Sequence, residues 1–205
     1  KEALEKGAVR PRGIADQRVR KLGVLGAGMM GAGIALVSAQ AGIDVVLIDR
    51  DQEAADKGKA YAATYMDKGI ARRKATPEKK EALLNLINAT PDLDALKECD
   101  LIIEAVFEDT EVKAEMTKKV EAIIPDDCIF ASNTSTLPIT GLAKASVRPE
   151  QFIGIHFFSP VEKMLLVEII KGKQTGDRAV AKALDFVRQI RKTPIVVNDA
   201  RFFYA

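Results

Sequence analysis

Cysteine is scarce in this chain, and its two copies, Cys99 and Cys128, stand far apart with neither C-x-x-C nor metal-ligand spacing. They read as two reduced core thiols, and no metal site is expected. Histidine is scarcer still: His156 is the only one. An excess of charge is also missing. The formal net charge is +2, which gives no reason to invoke nucleic acid or a membrane surface, and the basic run Arg72 to Lys74 reads as a solvated helix face. No apolar run approaches the length of a membrane span. The charged N-terminus lacks an apolar signal core, so secretion is not expected and a bacterial-type cytoplasm or an organelle matrix is. It also lacks an initiator Met, so a fragment or a processed chain is expected. Internal repeats and low-complexity segments are absent. What is present, 47% hydrophobic and 29% charged residues over 205 positions, suits a soluble globular protein of one large domain or two small ones.

The rest is organised around Lys21 to Gly33, KLGVLGAGMMGAG. An apolar run, Leu22 to Leu25, stops at Gly26; Gly26, Gly28 and Gly31 then follow the spacing G-x-G-x-x-G, and a helical pattern runs from Ile34 through Ala41. Strand, glycine turn and helix in this order form a dinucleotide-binding fingerprint. The first glycine permits the turn, the second lets a pyrophosphate approach the backbone, and the third lets helix and strand pack closely. Helix N–H groups then face the phosphates beside Met29 and Met30. A second apolar strand, DVVLID, ends on Asp49, close to the roughly 20 residues past the fingerprint at which an acid holds the adenosine ribose. A carboxylate there repels a 2′-phosphate and so favours NAD over NADP, with Arg50 beside it as the competing signal. The plain structural alternative for Asp49 is a helix N-cap before Gln52 to Ala55.

Downstream, the patterning predicts helices over 53–74 and from Pro77 to about Ile87, with Thr76 as N-cap, and a short strand near 88–90. Strands follow at 100–106, 128–132, 152–157, 165–170 and 194–197, with helices at 110–124, 137–145 and 176–191. Near-continuous apolar strands alternating with helices define an α/β fold: a Rossmann-type, doubly wound, mostly parallel sheet with a helical insertion after the second strand. Residues 1–18 read as a linker, with Lys1 to Lys6 as the tail of a helix, and 19–201 as the dinucleotide-binding domain. On the insertion, Lys68 and Arg72 are candidates to meet the phosphates of a bulky substrate.

Ligands of open α/β sheets sit at the carboxyl ends of strands. Those ends carry Asp49, Glu108 with Lys113, Asn133 to Thr136, and His156. A lone histidine in GIHFF is either a satisfied core residue or a general acid/base. Glu168, inside the apolar run LLVEII, is costly to bury unless paired. If the two strands are neighbours, Glu168 accepts one imidazole N–H and leaves the other nitrogen as a base.

Three stretches, GAGMMGAGIA, ASNTSTLPIT and GIHFFSPVEKMLLVEI, resemble the NAD-binding domain of L-3-hydroxyacyl-CoA dehydrogenases over roughly 18–201. The resemblance implies NAD-dependent oxidation of a (3S)-3-hydroxyacyl-CoA in fatty-acid β-oxidation, with His156 as base, Glu168 as its partner and Ser135 against the substrate hydroxyl. It implies Asn133, Glu108 and Lys113 near the nicotinamide, and Ser159 and Lys68 toward the acyl-CoA. Ser159 stands where single-function members often have Asn, and HFFSPVEKM is similar to the multifunctional proteins that fuse an enoyl-CoA hydratase ahead of the dehydrogenase. The family continues past residues 202–205 into a helical domain that completes the substrate site and dimerises. Two rivals stay open: an NAD-binding module inactive without that domain, and a dehydrogenase of a small hydroxy acid.

Overall fold

In a computed structural model that describes residues 10–199, eight strands form one sheet in the order β3-β2-β1-β4-β5-β6-β7-β8. The strands are β1 (Lys21–Leu25), β2 (Asp44–Ile48), β3 (Ile87–Thr90), β4 (Leu101–Glu104), β5 (Ile129–Ser132), β6 (Phe152–Phe157), β7 (Leu166–Lys171) and β8 (Thr193–Asn198). The helices are α1 (Met29–Gln40), α2 (Gln52–Ala71), α3 (Pro77–Asn85), α4 (Thr110–Glu121), α5 (Ile139–Leu142) and α6 (Asp177–Gln189). The expected strand near 88–90 exists and pairs parallel with β2 at the sheet edge. All pairings are parallel except β6 with β7. Residues 1–9 and 200–205, where the sequence suggests the helix tail and the start of a further domain, lie outside the described residues.

The strands are apolar throughout because both faces are covered. Along β1 and β4, Val24 and Ile103 join the core beneath α1, α2, α3 and α6, while Leu25 and Ile102 face the core beneath α4 and α5. Cys99 and Cys128 are free and buried in that second core. Burial pushes the Cys99 thiol up to about 12 and Cys128 upward as well, so neither offers a thiolate.

Strand order reverses between β1 and β4, which opens a crevice at their carboxyl ends. Helix α1 begins there at Met29, five residues earlier than the apolar pattern predicts, with Gly28 as its N-cap. The glycines obscure the start: their poor helix propensity is overridden by packing, since Gly31 to Ala39 are all buried. Gly26 turns the chain at φ +98°, and a Cβ on Gly31 would lie 1.7 Å from the Gly26 carbonyl oxygen. A Cβ on Gly28 would meet nothing within 4 Å.

Residues 10–18, read as linker, lie against α6. The Arg10 guanidinium donates twice to Asp185, at 2.9 Å each, and the Gln17 N–H donates to the same carboxylate at 2.8 Å. Burial raises the Asp185 carboxyl, but Arg10 and Gln17 together hold it below the usual carboxylate range.

The two glycines should separate in urea denaturation. Gly31→Ala is expected to lose on the order of 3 kcal/mol or more, because backbone must move. Gly28→Ala should cost less than about 1 kcal/mol, the difference between N-cap residues.

Candidate active site

Helix α1 presents its first-turn N–H groups to the crevice without a side-chain cap. A helix start with free donors and a positive dipole end is an anion site. Met29 is 63% exposed on the same turn and Met30 is half-buried. Asp49, at the end of β2, accepts from the Ala27 N–H at 2.8 Å and from the Arg50 N–H at 2.7 Å, so it stands beside the glycine turn. The capping alternative goes to Asp51, which accepts from the Ala54 N–H and caps α2. Arg50 pairs with Asp51 at 3.2 Å rather than with Asp49. Free helix donors, open space over Gly28 and a carboxylate beyond β2 fit a dinucleotide diphosphate and its ribose.

His156 and Glu168 are directly opposite on the antiparallel pair β6 and β7. The imidazole Nδ1 lies 3.3 Å from Glu168 Oε1; the histidine side chain is 12% exposed and the glutamate 4%. The Phe158 ring tilts against the imidazole with centroids 4.8 Å apart. With Nδ1 turned toward the carboxylate, Nε2 is the nitrogen left for chemistry.

Asn133, just past β5, uses its side-chain oxygen to accept from the Phe157 N–H at 2.8 Å, bracing the strand that carries His156. Ser135 and Ser159 are exposed on the loops after β5 and β6. Glu108 is exposed and accepts from the Thr134 hydroxyl, which itself accepts from the Leu137 N–H. Lys113 departs from its expected grouping with Glu108. It is 2% exposed, and its ammonium donates to Glu104 at 2.6 Å and to the Val106 carbonyl at 3.3 Å. Lys68 is exposed on the last turn of α2, roughly 25 Å along the helix from its N-cap, so it does not join the strand-end cluster.

Several site-shaping residues escaped the pattern reading. Glu104, buried at the end of β4, has a visible signal: a carboxylate in DLIIEAV is as anomalous as Glu168 in LLVEII. Lys192 donates to the carbonyls of Val161 and Met164, each at 2.6 Å, and burial pulls its ammonium down. Tyr61 on α2 donates to Glu162 at 2.6 Å, and that bond with burial raises the phenol to about 12. Together they hold the loop that bears Ser159. Asp199 accepts from the Ile139 and Thr140 N–H groups and so braces the loop bearing Ser135. These contacts span 28 to 101 residues in sequence and leave no local pattern.

The fold and the crevice define a dinucleotide-binding domain, with a histidine and a glutamate facing each other across its antiparallel strand pair. Residues 21–200 match the family described as 3-hydroxyacyl-CoA dehydrogenase, NAD binding domain, and the chain belongs to that family of NAD-dependent oxidoreductases. It is 46% identical over 189 residues to the fatty acid oxidation complex subunit alpha of Idiomarina loihiensis, covering 92% of this chain and 26% of that protein. The chain thus spans about a quarter of the length of the curated relatives it matches. It superposes on (S)-3-hydroxybutyryl-CoA dehydrogenase from Ralstonia eutropha with a TM-score of 0.87 and 39% identity, covering 89% of this chain and 65% of that one. The dehydrogenase part of multifunctional enzyme 1 from C. elegans gives 0.81 and 28%, covering 97% and 48%. NAD is the cofactor of the family. No helix among the described residues is long and apolar enough to cross a membrane.

Removing the Asp49 carboxylate by Asp49→Ala is expected to weaken NADH binding about tenfold, the loss of charge-assisted hydrogen bonds, and to relax rejection of NADPH. Fluorescence titration with each nucleotide checks both; unchanged preference would leave Asp49 only its bond to the glycine turn.

Proposed function

We propose that the whole protein oxidises a (3S)-3-hydroxyacyl-CoA to the 3-oxoacyl-CoA, as a step of fatty-acid β-oxidation. The observation that carries this reading is the buried Glu168 carboxylate facing Nδ1 of the lone histidine, at the edge of a crevice suited to NAD. The relatives' names support the substrate class. On this reading, residues 19–201 are the NAD-binding domain, and further domains of the whole protein complete the acyl-CoA site and form a dimer. Its setting is a cytoplasm or organelle matrix.

Glu168 holds the imidazole with Nδ1 protonated and offsets the charge that develops on it. Nε2 of His156 takes the proton of the substrate 3-hydroxyl; in reverse, it returns the proton to the forming alkoxide. Ser135 orients the hydroxyl from the loop after β5. Ser159 lies toward the acyl group, and Lys68 meets phosphate at the far end of a long substrate. Glu108 and Asn133 line the crevice beside the reacting carbon. The chemistry that NAD supplies when bound is acceptance of the hydride from C3. The chain's own part is to orient the hydroxyl, move its proton and stabilise the resulting imidazolium.

The test measures NADH oxidation with acetoacetyl-CoA beside NADH binding, in the full natural chain. His156→Ala is expected to keep NADH affinity and lose about 10²- to 10⁴-fold in turnover, the usual worth of a general base. Equal turnover would sink the assignment. Glu168→Gln keeps the shape but not the charge, and should lower kcat with NADH affinity unchanged. Competition by free CoA separates a CoA thioester substrate from a small hydroxy acid: inhibition is expected for the former only.

A further inference from the structure

The geometry points to Tyr61 and Glu162 as positioning residues for the reaction: their bond ties the insertion helix α2 to the loop that joins His156 to Glu168, and so holds the base against its partner. This rests on the reading of His156 as the base. Residues 158–165 join β6 to β7 at the carboxyl edge of the parallel strands, the edge that carries the crevice. A two-residue hairpin turn fixes its own strands; a loop of this length takes its position from what it touches. The pair it joins needs that position, because Nδ1 and Oε1 stand 3.3 Å apart, at the long end for a hydrogen bond.

The loop is gripped from three elements. Toward α1, Val161 is buried, and a Cβ on Gly33 would come within 2.8 Å of the Val161 Cβ. Toward β8, the Lys192 ammonium donates to the carbonyls of Val161 and Met164 at 2.6 Å each, and the Thr193 N–H donates to the Leu165 carbonyl at 2.8 Å. Toward α2, Glu162 Oε1 accepts from the Tyr61 hydroxyl at 2.6 Å. The first two grips close on the loop's apolar interior and its backbone. The third reaches the helical insertion. Glu162 Oε2 is buried with no hydrogen-bond partner among the described residues, so the Tyr61 hydroxyl gives this carboxylate its direction. The Glu162 charge also favours the ammonium of Lys192, against the burial that disfavours it.

Fold stability accounts poorly for this arrangement. A carboxylate with one oxygen buried and unpaired is a cost, and an apolar side chain would pack the loop against α2 without it. What the bond to a charged acceptor adds is a short, defined distance between helix and loop. The loop carries Ser159 on its exposed side and leads directly into the strand of Glu168. A shift of the loop therefore moves the carboxylate relative to the imidazole, while Asn133 keeps Phe157, next to His156, in place from β5. Tyr61 and Glu162 act through the distance between Glu168 and His156, without touching substrate or cofactor.

The experiment is steady-state NADH oxidation with acetoacetyl-CoA by the full natural chain, with NADH dissociation constants and thermal midpoints alongside, for Tyr61→Phe, Glu162→Gln and each of them combined with His156→Ala. Tyr61→Phe keeps the ring and removes the bond. It is expected to lower kcat about tenfold, within the roughly 10²-fold that a 1 Å misplacement can cost, with KM and NADH affinity unchanged. Glu162→Gln retains an oxygen for the Tyr61 hydroxyl and should lose less. In the His156→Ala background neither change is expected to lower the residual turnover further, because a residue that acts through the base has nothing left to position. A lower thermal midpoint with kcat unchanged, or equal fractional losses with and without His156, would overturn the proposal and leave a structural tie. A rise in KM or a loss of NADH affinity at unchanged kcat would overturn it in favour of a binding role for the loop. A larger loss in Glu162→Gln than in Tyr61→Phe would do so in favour of the Glu162 charge acting on Lys192. Full turnover by His156→Ala alone would overturn the reading of the base, and the proposal with it.

Discussion

The domain depends on one close approach, that of α1 to the end of β1. The Gly26 carbonyl occupies the space that any side chain at residue 31 would need. Because the backbones meet there, the N-terminus of α1 points into the crevice, and its donors are free to face a diphosphate instead of being spent on a cap. Asp49 secures the same turn from the other side through the Ala27 N–H. The carboxylate suited to a ribose is therefore already placed by the turn that would receive the phosphates, so the two ends of the nucleotide site share one piece of geometry.

Outward from that turn, the polar residues of the crevice are held by backbone donors and acceptors of neighbouring strands. Glu104 binds the backbone of Val106 and the Ser132 hydroxyl; Asn133 takes the N–H of Phe157; Asp199 takes the first two N–H groups of α5. Each is a charged or amide side chain that satisfies a backbone N–H at a strand end or a helix start. Strand ends must satisfy backbone groups that the sheet no longer pairs, and Glu104 and Asn133 do so at the carboxyl edge of the parallel strands, the edge at which open α/β sheets take their ligands. Support and function therefore share residues at this edge, and a buried carboxylate there is informative in a way that a core leucine is not.

The helical insertion and the loop between β6 and β7 form a second assembly. Tyr61 of α2 meets Glu162, and Lys192 at the entry to β8 holds the carbonyls on either side of it. Lys80 reaches Asp67 at 2.7 Å and ties α3 back onto α2. The hairpin that joins His156 to Glu168 is thereby fixed from helices on one side and from the last strand on the other. The pair's geometry has support independent of the glycine turn.

Much of this was legible in the chain itself. The glycine spacing, the acid after DVVLI, the Thr76-Pro77 helix start and the buried strands follow from local rules of turn geometry, capping and apolar periodicity, and the structure has them within a few residues. The start of α1 was hidden because glycine disguises a helix that tertiary packing stabilises. Pairing was hidden for a different reason. That β7 runs antiparallel to β6, so that His156 faces Glu168, and that Lys113 turns under its loop to Glu104 instead of outward beside Glu108, depend on which strands are neighbours. The anomalous carboxylate in LLVEII announced that a partner must exist, because an unpaired buried charge is too costly; the one in LIIEAV carries the same signal, which the strand pattern masked. The sequence by itself determined a dinucleotide fold and the residue types at its strand ends. Only the tertiary structure decided which of them meet, because that choice is made by sheet order and strand direction, which local periodicity does not encode.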